Sequence, residues 1–241
     1  MRHSEQSVRS ILVYTECTNE GRRFVKVAKM LLDVVVSQMF GENAFIARLD
    51  GRDDCLVVDP GFDADRIIQR IEQLGLTPAA ILNTHGHADH IAGNGAMKER
   101  WPDCPLVIGT DEASKLTDPA GNLSGSYGIG LTSPPADHLL RDGDTFQAAG
   151  IELEILATPG HSCGHIVFVY KGDSPWIVFG GDVLFQGSVG RADFPDSDPQ
   201  TLANSIRQKM YSLPDDTIVL PGHGEATTIG QEQQFNPFVR A

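Results

Sequence analysis

The sequence predicts an α/β fold, which some classification schemes would call α+β, on two observations. Short runs rich in β-branched residues alternate with a helix-like pattern in the first half of the chain, and strand-like runs with Gly or Asp in their turns follow one another in the second half. Of the 241 residues, 41% are hydrophobic and 21% are charged, a composition typical of a globular protein with a large core. One large domain is the default, and two small ones are the alternative.

The first half of the chain predicts five strands and one helix. Residues 63–75 carry three isoleucines and a leucine on one helical stripe, with Asp63 at the N-cap and Gly75 at the end. The strands are predicted over residues 33–37, 43–49, 55–61, 79–83 and 105–109.

The second half predicts a long loop, five strands and a second helix. Residues 117–136 are rich in Gly, Ser and Pro without periodicity, which is typical of a long loop that covers a functional site. Residues 198–213 place Pro199 at a first helical position and apolar residues on one stripe, which predicts a helix. The strands are predicted over residues 144–149, 151–160, 165–170, 175–182 and 217–222.

Residues 1–32 differ in charge from the rest of the chain. They hold six Lys or Arg residues against three Asp or Glu residues, so the strong negative charge resides in the remainder. We therefore divide the chain into an N-terminal extension over residues 1–32 and a main domain over residues 33–241. The extension is either an additional strand and helix packed on the outside or a mobile segment, and Met30 is a candidate alternative start.

The overall charge excludes some partners. A net charge of -13 and a pI near 4.9 repel phosphate backbones and anionic lipids, so neither nucleic acid nor a membrane is an expected partner. No apolar run reaches the roughly 20 residues that cross a bilayer, and the first ten residues lack the apolar region of a secretory signal. The four cysteines lie far apart without a CxxC pair, which favours reduced thiols. We therefore expect a soluble cytoplasmic protein.

Five of the eight histidines follow strand-like runs. His85, His87 and His90 lie within six residues, in "THGHADH" directly after a predicted strand, and His161 and His223 each follow a Pro-Gly turn. Strand ends are where α/β folds commonly place ligands. A lone histidine is most often an ordinary surface or core residue, but five of them directed at one sheet edge favour a functional site.

Metal binding explains this spacing. Because alternate side chains of an extended loop point the same way, the first two histidines can reach one cation while the next aspartate and histidine turn toward a second. Two divalent ions bring four positive charges, and two aspartates with a bridging hydroxide return three, which suits an anionic transition state and favours hydrolysis. The candidate ligands are His85, His87 and His161 for the first cation, Asp89, His90 and His223 for the second, and Asp182 between both.

The motifs "THGHADH", "TPGHSCGH", "GGDVLF" and "PGHG", in this order, resemble those of the metallo-β-lactamase-fold hydrolases. Together with "GSVGRADFP" and "TTIGQEQQFNPF", they are similar to the glyoxalase II-related single-domain branch, which is hydroxyacylglutathione hydrolase-like. The similarity covers roughly residues 33–241, which makes this part the catalytic domain. The resemblance implies a four-layer αββα sandwich with the metals at one edge. The predicted strands and helices are compatible with that architecture but do not single it out.

The resemblance also implies the ligands and the reaction. It assigns the same seven ligands, with Asp89 and Asp182 as the catalytic carboxylates, to two divalent ions, most often Zn, with Fe or Mn as alternatives. The partner would be a small-molecule thioester, such as S-lactoylglutathione or a related hydroxyacyl thioester, cleaved by a metal-bridging hydroxide. Two cations about 3.5 to 4 Å apart lower the pKa of a shared water toward 7. A thiolate then leaves without a strong general acid, since the free thiol has a pKa of about 8.5.

This sequence departs from the family pattern in ways that leave roles open. Glyoxalase II proper carries a further helical domain that helps to bind glutathione, and this chain ends before such a domain, so the thiol carrier is open, as is the oligomeric state. Arg191 either binds a substrate carboxylate or is a surface arginine paired with Asp193. Asp59 either orients a ligand histidine from behind or forms a turn. Cys163 replaces a proline common in this turn and is either a redox-sensitive thiol or, as we favour, a small buried filler.

Two other functions are alternatives. A persulfide dioxygenase shares this fold and much of "THGHADH" and "GRADF", but it uses one iron held by two His and an Asp. Its usual acidic and aromatic continuation after the last histidine is missing, since "PGHGEATT" stands there. The third function, a binding or scaffold protein with a vestigial site, is disfavoured because all seven expected ligands are present.

Overall fold

A computed structural model of the chain describes residues 8–12, for the backbone only, and residues 29–240. Within these residues two mixed β-sheets pack face to face, and helices cover the outer face of each sheet. This is the four-layer αββα sandwich, so the expected fold class is confirmed. No described helix combines the length and the apolar character that a membrane span requires.

The first sheet has seven strands in chain order. Its first three pairings are antiparallel and its last three are parallel. Parallel neighbours need a crossover connection, and the first two of these crossovers are helical. The strands are β1 Val8–Leu12, β2 Met30–Val36, β3 Asn43–Leu49, β4 Asp54–Val58, β5 Thr77–Leu82, β6 Leu106–Gly109 and β7 His138–Leu140.

The second sheet has six strands, in the order β15-β14-β11-β10-β9-β8, and a separate two-stranded hairpin, β12-β13, lies between its segments in the chain. Only the pairing of β11 with β14 is parallel among the described strands of this sheet. The strands are β8 Thr145–Ala148, β9 Ile151–Ala157, β10 Ile166–Tyr170, β11 Ile177–Gly181, β12 Leu184–Phe185, β13 Ser188–Val189, β14 Ile218–Pro221 and β15 Thr227–Thr228.

Three apolar clusters hold the layers together. The central cluster fills the space between the sheets, where Phe45 of β3 meets Phe179 of β11 with ring centroids 5.7 Å apart. The outer face of the first sheet packs against α1 and α3, and that of the second sheet packs against α4. The helices are α1 Ala64–Gln73, α2 Ala88–Ile91, α3 Asn94–Arg100, α4 Pro199–Gln208 and α5 Ile229–Phe235, with 3-10 turns at Thr110–Thr117, Ser124–Tyr127 and Met210–Ser212.

The predicted boundary of the main domain falls inside a strand. β2 begins at Met30, three residues before the predicted strand, because Met30 and Leu32 are fully buried in the central cluster. The strand therefore crosses the boundary between residues 32 and 33. The division of the chain into an extension and a main domain stays a prediction, since residues 1–7 and 13–28 lie outside the described part.

The predicted helices are present with shorter bounds. Asp63 precedes α1 as expected, but its carboxylate accepts from the Gln38 backbone N–H at 2.6 Å and caps no N–H group of the helix. The second predicted helix is wrong in its last turn. α4 ends at Gln208, and a 3-10 turn over Met210–Ser212 replaces the continuation. Asp198 caps α4 by accepting from the Thr201 N–H.

Candidate metal centre

The candidate ligands lie at strand ends, and the topology brings these ends to one edge. β4 and β5 are parallel, so Asp59 after β4 lies beside the segment after β5 that carries His85. β11 and β14 are parallel as well, so Asp182 and His223 follow neighbouring strand ends. A backbone hydrogen bond of 2.9 Å from the start of β10 to the segment after β5 joins the two sheets at this point. The carboxyl edges of both sheets therefore meet.

The structure brings all seven predicted ligands together. His161 Nε2 lies 3.0 Å from His87 Nδ1 and 3.6 Å from Asp182 Oδ2. His223 Nε2 lies 3.3 Å from Asp89 Oδ2 and 3.5 Å from Asp182 Oδ2. We call His85, His87 and His161 the first metal set and Asp89, His90 and His223 the second metal set; within each, the ligand atoms lie within 4.8 Å of one another, and Asp182 forms a third such group with His85 and His90.

Asp59 fixes the orientation of two ligand histidines. Its Oδ2 accepts from Thr84 Oγ1 at 2.7 Å and from His90 Nδ1 at 3.0 Å. Because the Thr84 hydroxyl donates to Asp59, it accepts from His85 Nδ1 at 3.1 Å. Both imidazoles therefore keep a proton on Nδ1, and Nε2 is the ring nitrogen left to bind a metal ion. Asp59 itself has a φ of 49°, a strained conformation of the kind found at functional sites.

Two further contacts set the ligands of the second sheet. His161 Nδ1 donates to the Arg191 carbonyl at 2.8 Å, which leaves its Nε2 directed at His87, another ligand of the first metal set. His165, predicted to be structural, stacks on His85 with centroids 4.9 Å apart. Its Nε2 accepts the backbone N–H of Asp182 at 3.1 Å. This histidine thus supports the shared carboxylate from behind.

The centre contains buried polar atoms that a further group would satisfy. Nε2 of His85, His87 and His90 and Oδ1 of Asp182 are buried without a hydrogen-bond partner. Buried polar groups of folded proteins are normally paired. Imidazole nitrogens with carboxylate oxygens are a donor set that Zn, Fe and Mn accept. The residues present therefore fit divalent metal ions.

Two histidines of the first metal set, His85 and His87, are held in the uncharged form that binds a metal ion. Burial, followed by the charge of the neighbouring histidines, lowers the pKa of His85 well below its usual value. Burial, followed by the charges of His161 and Lys115, lowers the pKa of His87 to about 3. These two imidazoles are therefore uncharged at neutral pH, as metal ligands must be.

The second metal set lies in an excess of negative charge. Burial opposes a charge on His90, but Asp182, Asp89 and Asp59 outweigh it and raise the pKa of His90 well above its usual value. Burial is likewise outweighed at His223, where the hydrogen bond to Asp89 and the charge of Asp182 raise the pKa. The surroundings of these two histidines therefore favour positive charge in this part of the centre.

We expect the second metal set to lose its ion first as the pH falls. A metal ion there must compete with protons at His90 and His223, whose pKa values are raised, whereas the pKa values of His85 and His87 are lowered so that these imidazoles are already uncharged at neutral pH. Metal content measured after equilibration and gel filtration, from about pH 8 to about pH 5, should decrease in two separate steps. Release of all metal in one step would contradict this expectation.

A pocket of about 420 Å³ opens onto the ligands. Its walls are largely aromatic and aliphatic, and the long loop predicted over residues 117–136 contributes Leu123, Tyr127 and Ile129. Phe40 from the β2–β3 turn contacts Tyr127 with centroids 6.0 Å apart. The loop therefore lines the site, as its length suggested, and most of the wall is apolar.

Arg191 lies in this pocket and also forms the surface pair that was its alternative interpretation. Its guanidinium binds the Asp193 carboxylate at 2.9 Å and lies 4.6 Å from the centroid of the Phe194 ring. The Arg191 side chain is 64% exposed. An exposed pair of this kind contributes little to stability, so the guanidinium can change partners at little cost.

Sequence reasoning missed two charged residues beside the centre, Glu112 and Lys115. They lie in the 3-10 segment Thr110–Thr117, where "DEASKL" carries no periodic signal, and both are buried. The interpretation of Cys163 as a buried filler is wrong, because this thiol is exposed. Cys55 and Cys104 are free and buried, as expected for reduced thiols, and Cys17 lies outside the described residues.

Curated relatives share most of this chain. A probable metallo-hydrolase of Bacillus subtilis, YqgX, is 43% identical over 188 residues, which cover 78% of this chain and 88% of the relative. The hydroxyacylglutathione hydrolase GloC of Haemophilus influenzae is 37% identical over 219 residues, which cover 88% of this chain and 99% of the relative.

Solved structures share the fold. The BLEG-1 B3 metallo-beta-lactamase has a TM-score of 0.83 at 37% identity, covering 87% of this chain and 100% of that one. TTHA1623 in a di-iron-bound form has a TM-score of 0.74 at 34% identity, covering 86% and 99%. ETHE1 from Myxococcus xanthus has a TM-score of 0.71 at 28% identity, covering 86% and 83%. Since the family model of the metallo-beta-lactamase superfamily also matches residues 39–223, this protein belongs to that superfamily.

Proposed function

We propose that this protein is a dinuclear metal-dependent hydrolase that cleaves a thioester, in the first place S-lactoylglutathione or a related hydroxyacyl thioester. The observation that carries the proposal is the convergence of two metal sets on one shared carboxylate, Asp182, with free donor atoms directed inward. The hydroxyacylglutathione hydrolase GloC, 37% identical over nearly its whole length, supports this substrate class. The di-iron form of TTHA1623 supports two ions in a site of this family.

The chain's own residues supply the arrangement that such a reaction needs. Two bound ions would polarise the substrate carbonyl and make a nucleophilic water available near neutral pH. Asp59 fixes His90, and Asp182 lies within 3.6 Å of both His161 and His223, so the ligands are oriented before substrate arrives. The apolar pocket wall limits competing water around the ester.

The pocket favours a thioester over an amide. Among the described residues that line it, the titratable groups other than metal ligands are Tyr127 and Arg191, and neither is a strong acid at neutral pH. A thiolate leaves without protonation because its conjugate thiol has a pKa of about 8.5, whereas an amine leaving group must be protonated. Thioester cleavage therefore needs no general acid beyond the residues of this pocket.

A single set of measurements tests the proposal. The purified protein is analysed for metal and assayed for thiol release from S-lactoylglutathione, for oxygen consumption with a glutathione persulfide, and for cleavage of a β-lactam. Two ions per chain with thiol release support the proposal. One iron per chain with oxygen consumption would instead establish the persulfide dioxygenase, which the 28% identity to ETHE1 keeps as the alternative. Cleavage of the β-lactam alone, or no metal, would also overturn it.

Under the same proposal, the partner of the protein is a small-molecule thioester, and neither nucleic acid nor a membrane is a partner. The protein would act in the cytoplasm. The net charge of -13 supports the absence of phosphate-rich partners. The free thiols of Cys55, Cys104 and Cys163 support a reducing compartment.

Arg191→Ala should raise KM for an anionic thioester roughly tenfold while kcat changes little, because the guanidinium would contact a remote carboxylate of the substrate. The backbone carbonyl that accepts from His161 is kept in this variant. Steady-state kinetics measure both constants. Asp193→Ala is the matched variant: it releases the guanidinium from its partner, so KM should stay equal or fall. A fall in kcat with unchanged KM in Arg191→Ala would contradict a binding role.

A further inference from the structure

A cluster of charged and polar side chains, buried except for the partly exposed Asp196, lies beside the first metal set and outside the pocket lining. We call it the Glu112 cluster; it comprises Glu112, Lys115, Ser162 and Asp196. Glu112 and Ser162 are fully buried, and Lys115 is 6% exposed. Buried charges are costly unless they are paired and hydrogen-bonded, so the contacts of this cluster indicate what it stabilises.

The Glu112 carboxylate accepts hydrogen bonds from two separate loops. Its Oε2 accepts from the Gly86 backbone N–H at 2.7 Å. Its Oε1 accepts from the Gly164 N–H at 2.8 Å and from Ser162 Oγ at 2.5 Å. Lys115 Nζ also donates to Oε1, at 3.1 Å. One side chain therefore connects the loop after β5 with the loop after β9.

These are the two loops that carry the first metal set. Gly86 stands between His85 and His87, and Ser162 and Gly164 follow His161 within three residues. The ligand atoms on either side of this connection, His87 Nδ1 and His161 Nε2, are 3.0 Å apart. One carboxylate thus connects the loops of these two ligands through backbone N–H groups near them.

Close backbone packing at both loops adds an independent observation. A Cβ atom on Gly86 would lie 2.6 Å from Lys115 Cβ, and one on Gly164 would lie 2.6 Å from Asp111 Cβ. Neither position leaves room for a side chain, so both loops are pressed against the segment that carries Glu112. The contact of both loops with the Glu112 segment is therefore part of the close packing of the fold.

Lys115 supplies the positive charge of the cluster. Its Nζ lies 2.5 Å from Asp196 Oδ2, in the loop after β13, as well as 3.1 Å from Glu112. Although Glu112, Cys163 and Asp196 could together hold a cation by their spacing, the ammonium group already binds both carboxylates. The Lys115 ammonium group therefore takes the place that a metal ion would occupy in this cluster.

We propose that Glu112 is a positioning residue for the first metal set: it fixes the His85–His87 loop relative to His161 and so determines how tightly that set holds its ion. This inference rests on the metal centre of the proposed function. When residues that orient metal ligands without binding the metal are replaced, metal affinity typically falls by about 10- to 100-fold. Replacing Glu112 should act selectively, because the second metal set has no contact with the cluster among the described hydrogen bonds.

The test measures zinc affinity by competition with a chromogenic chelator, using metal-free protein and Zn²⁺ alone. In the His223→Ala background, which lacks a ligand of the second set, Glu112→Gln should weaken the remaining site by about 10- to 100-fold. In the His161→Ala background, which lacks a ligand of the first set, the same substitution should change affinity by less than about threefold. Glu112→Asp keeps the charge that balances Lys115 but is shorter by one C–C bond of about 1.5 Å, so it should fold and show a smaller loss in the same background.

Asp33→Asn is the matched control, because Asp33 of β2 is also a buried carboxylate bound to cationic side chains, Arg48 of β3 and Arg70 of α1. It should lower Tm without changing zinc affinity in either background. The inference would be overturned if the Glu112 variants lost zinc affinity equally in both backgrounds and in proportion to their loss of Tm, because that is a general loss of stability. Unchanged zinc affinity in both Glu112→Gln and Glu112→Asp would also overturn it. A wild-type protein that binds none of zinc, iron and manganese would instead overturn the proposed function itself.

Discussion

Asp182→Ala should bind at most one metal ion and retain less than about a hundredth of the wild-type kcat/KM. Its carboxylate lies within 3.6 Å of His90, His161 and His223 and is shared by both sides of the centre. Burial opposes its charge, but these three histidines hold the pKa of Asp182 well below its usual range. Replacing a residue that only orients a metal ligand already lowers metal affinity or activity by about 10- to 100-fold. Loss of a ligand shared by both ions should therefore have a larger effect.

Metal analysis and thioesterase kinetics on the same preparation test this expectation. Asp193→Ala serves as the control, because Asp193 is an exposed aspartate near the same pocket whose side chain binds only Arg191 among the described contacts. It should keep the wild-type metal content. Full turnover and two ions in Asp182→Ala would refute the assignment of this residue.

Gly222→Ala should strongly lower the activity of the protein although it removes no ligand. A Cβ atom at this position would overlap Asp182 Oδ1 and lie 2.6 Å from His90 Cε1, so both ligands must move. A displacement of about 1 Å in a catalytic arrangement can cost about 100-fold in rate. We therefore expect a loss of that order in kcat/KM together with weaker metal binding.

Gly95→Ala is the matched control for this substitution. Gly95 lies in α3, and its added Cβ would meet only Pro134 Cδ, at 3.9 Å. Because Ala favours helix over Gly by roughly 0.5 to 1 kcal/mol, this variant should keep activity and gain slightly in Tm. Circular dichroism shows whether each variant is folded. Wild-type kinetics in a folded Gly222→Ala protein would show that the site tolerates the extra atom.

The sequence predicted best those elements whose signal is local. β3 has the predicted bounds, 43–49, because a short, mostly apolar run is bounded by turns on both sides. α1 was visible from its apolar stripe, with Ile67 and Ile71 buried as that stripe requires. The histidines of the centre were visible because imidazoles are rare and their spacing matches metal coordination.

Elements stabilised by tertiary contacts gave no such signal. β7 is three residues long and two of them are exposed, so its sequence resembles a loop. α5 contains Gly230 in its first turn and is recognisable mainly by the Thr228 cap, which accepts from the Gln231 N–H. The end of α4 was placed too late because the apolar spacing continues into the 3-10 turn that follows.

The supporting residues of the centre were hidden for the same reason. Asp59 could be suspected from its position after a strand, but its contact with His90 depends on the parallel pairing of β4 and β5. Glu112 lies 26 positions from the Gly86 N–H that it accepts and 52 positions from that of Gly164. Such contacts are set by the packing of whole layers and cannot be read from neighbouring letters.

The two sheets contribute to every metal set: His85 and His87 follow a strand of the first sheet, whereas His161, 74 positions after His87, follows a strand of the second. A bound ion consequently acts as a cross-link between the two halves of the chain. A ligand present at a thousandfold excess over its Kd stabilises the folded state by about 4 kcal/mol when only that state binds it. The supply of metal would then govern the persistence of the protein as well as its turnover.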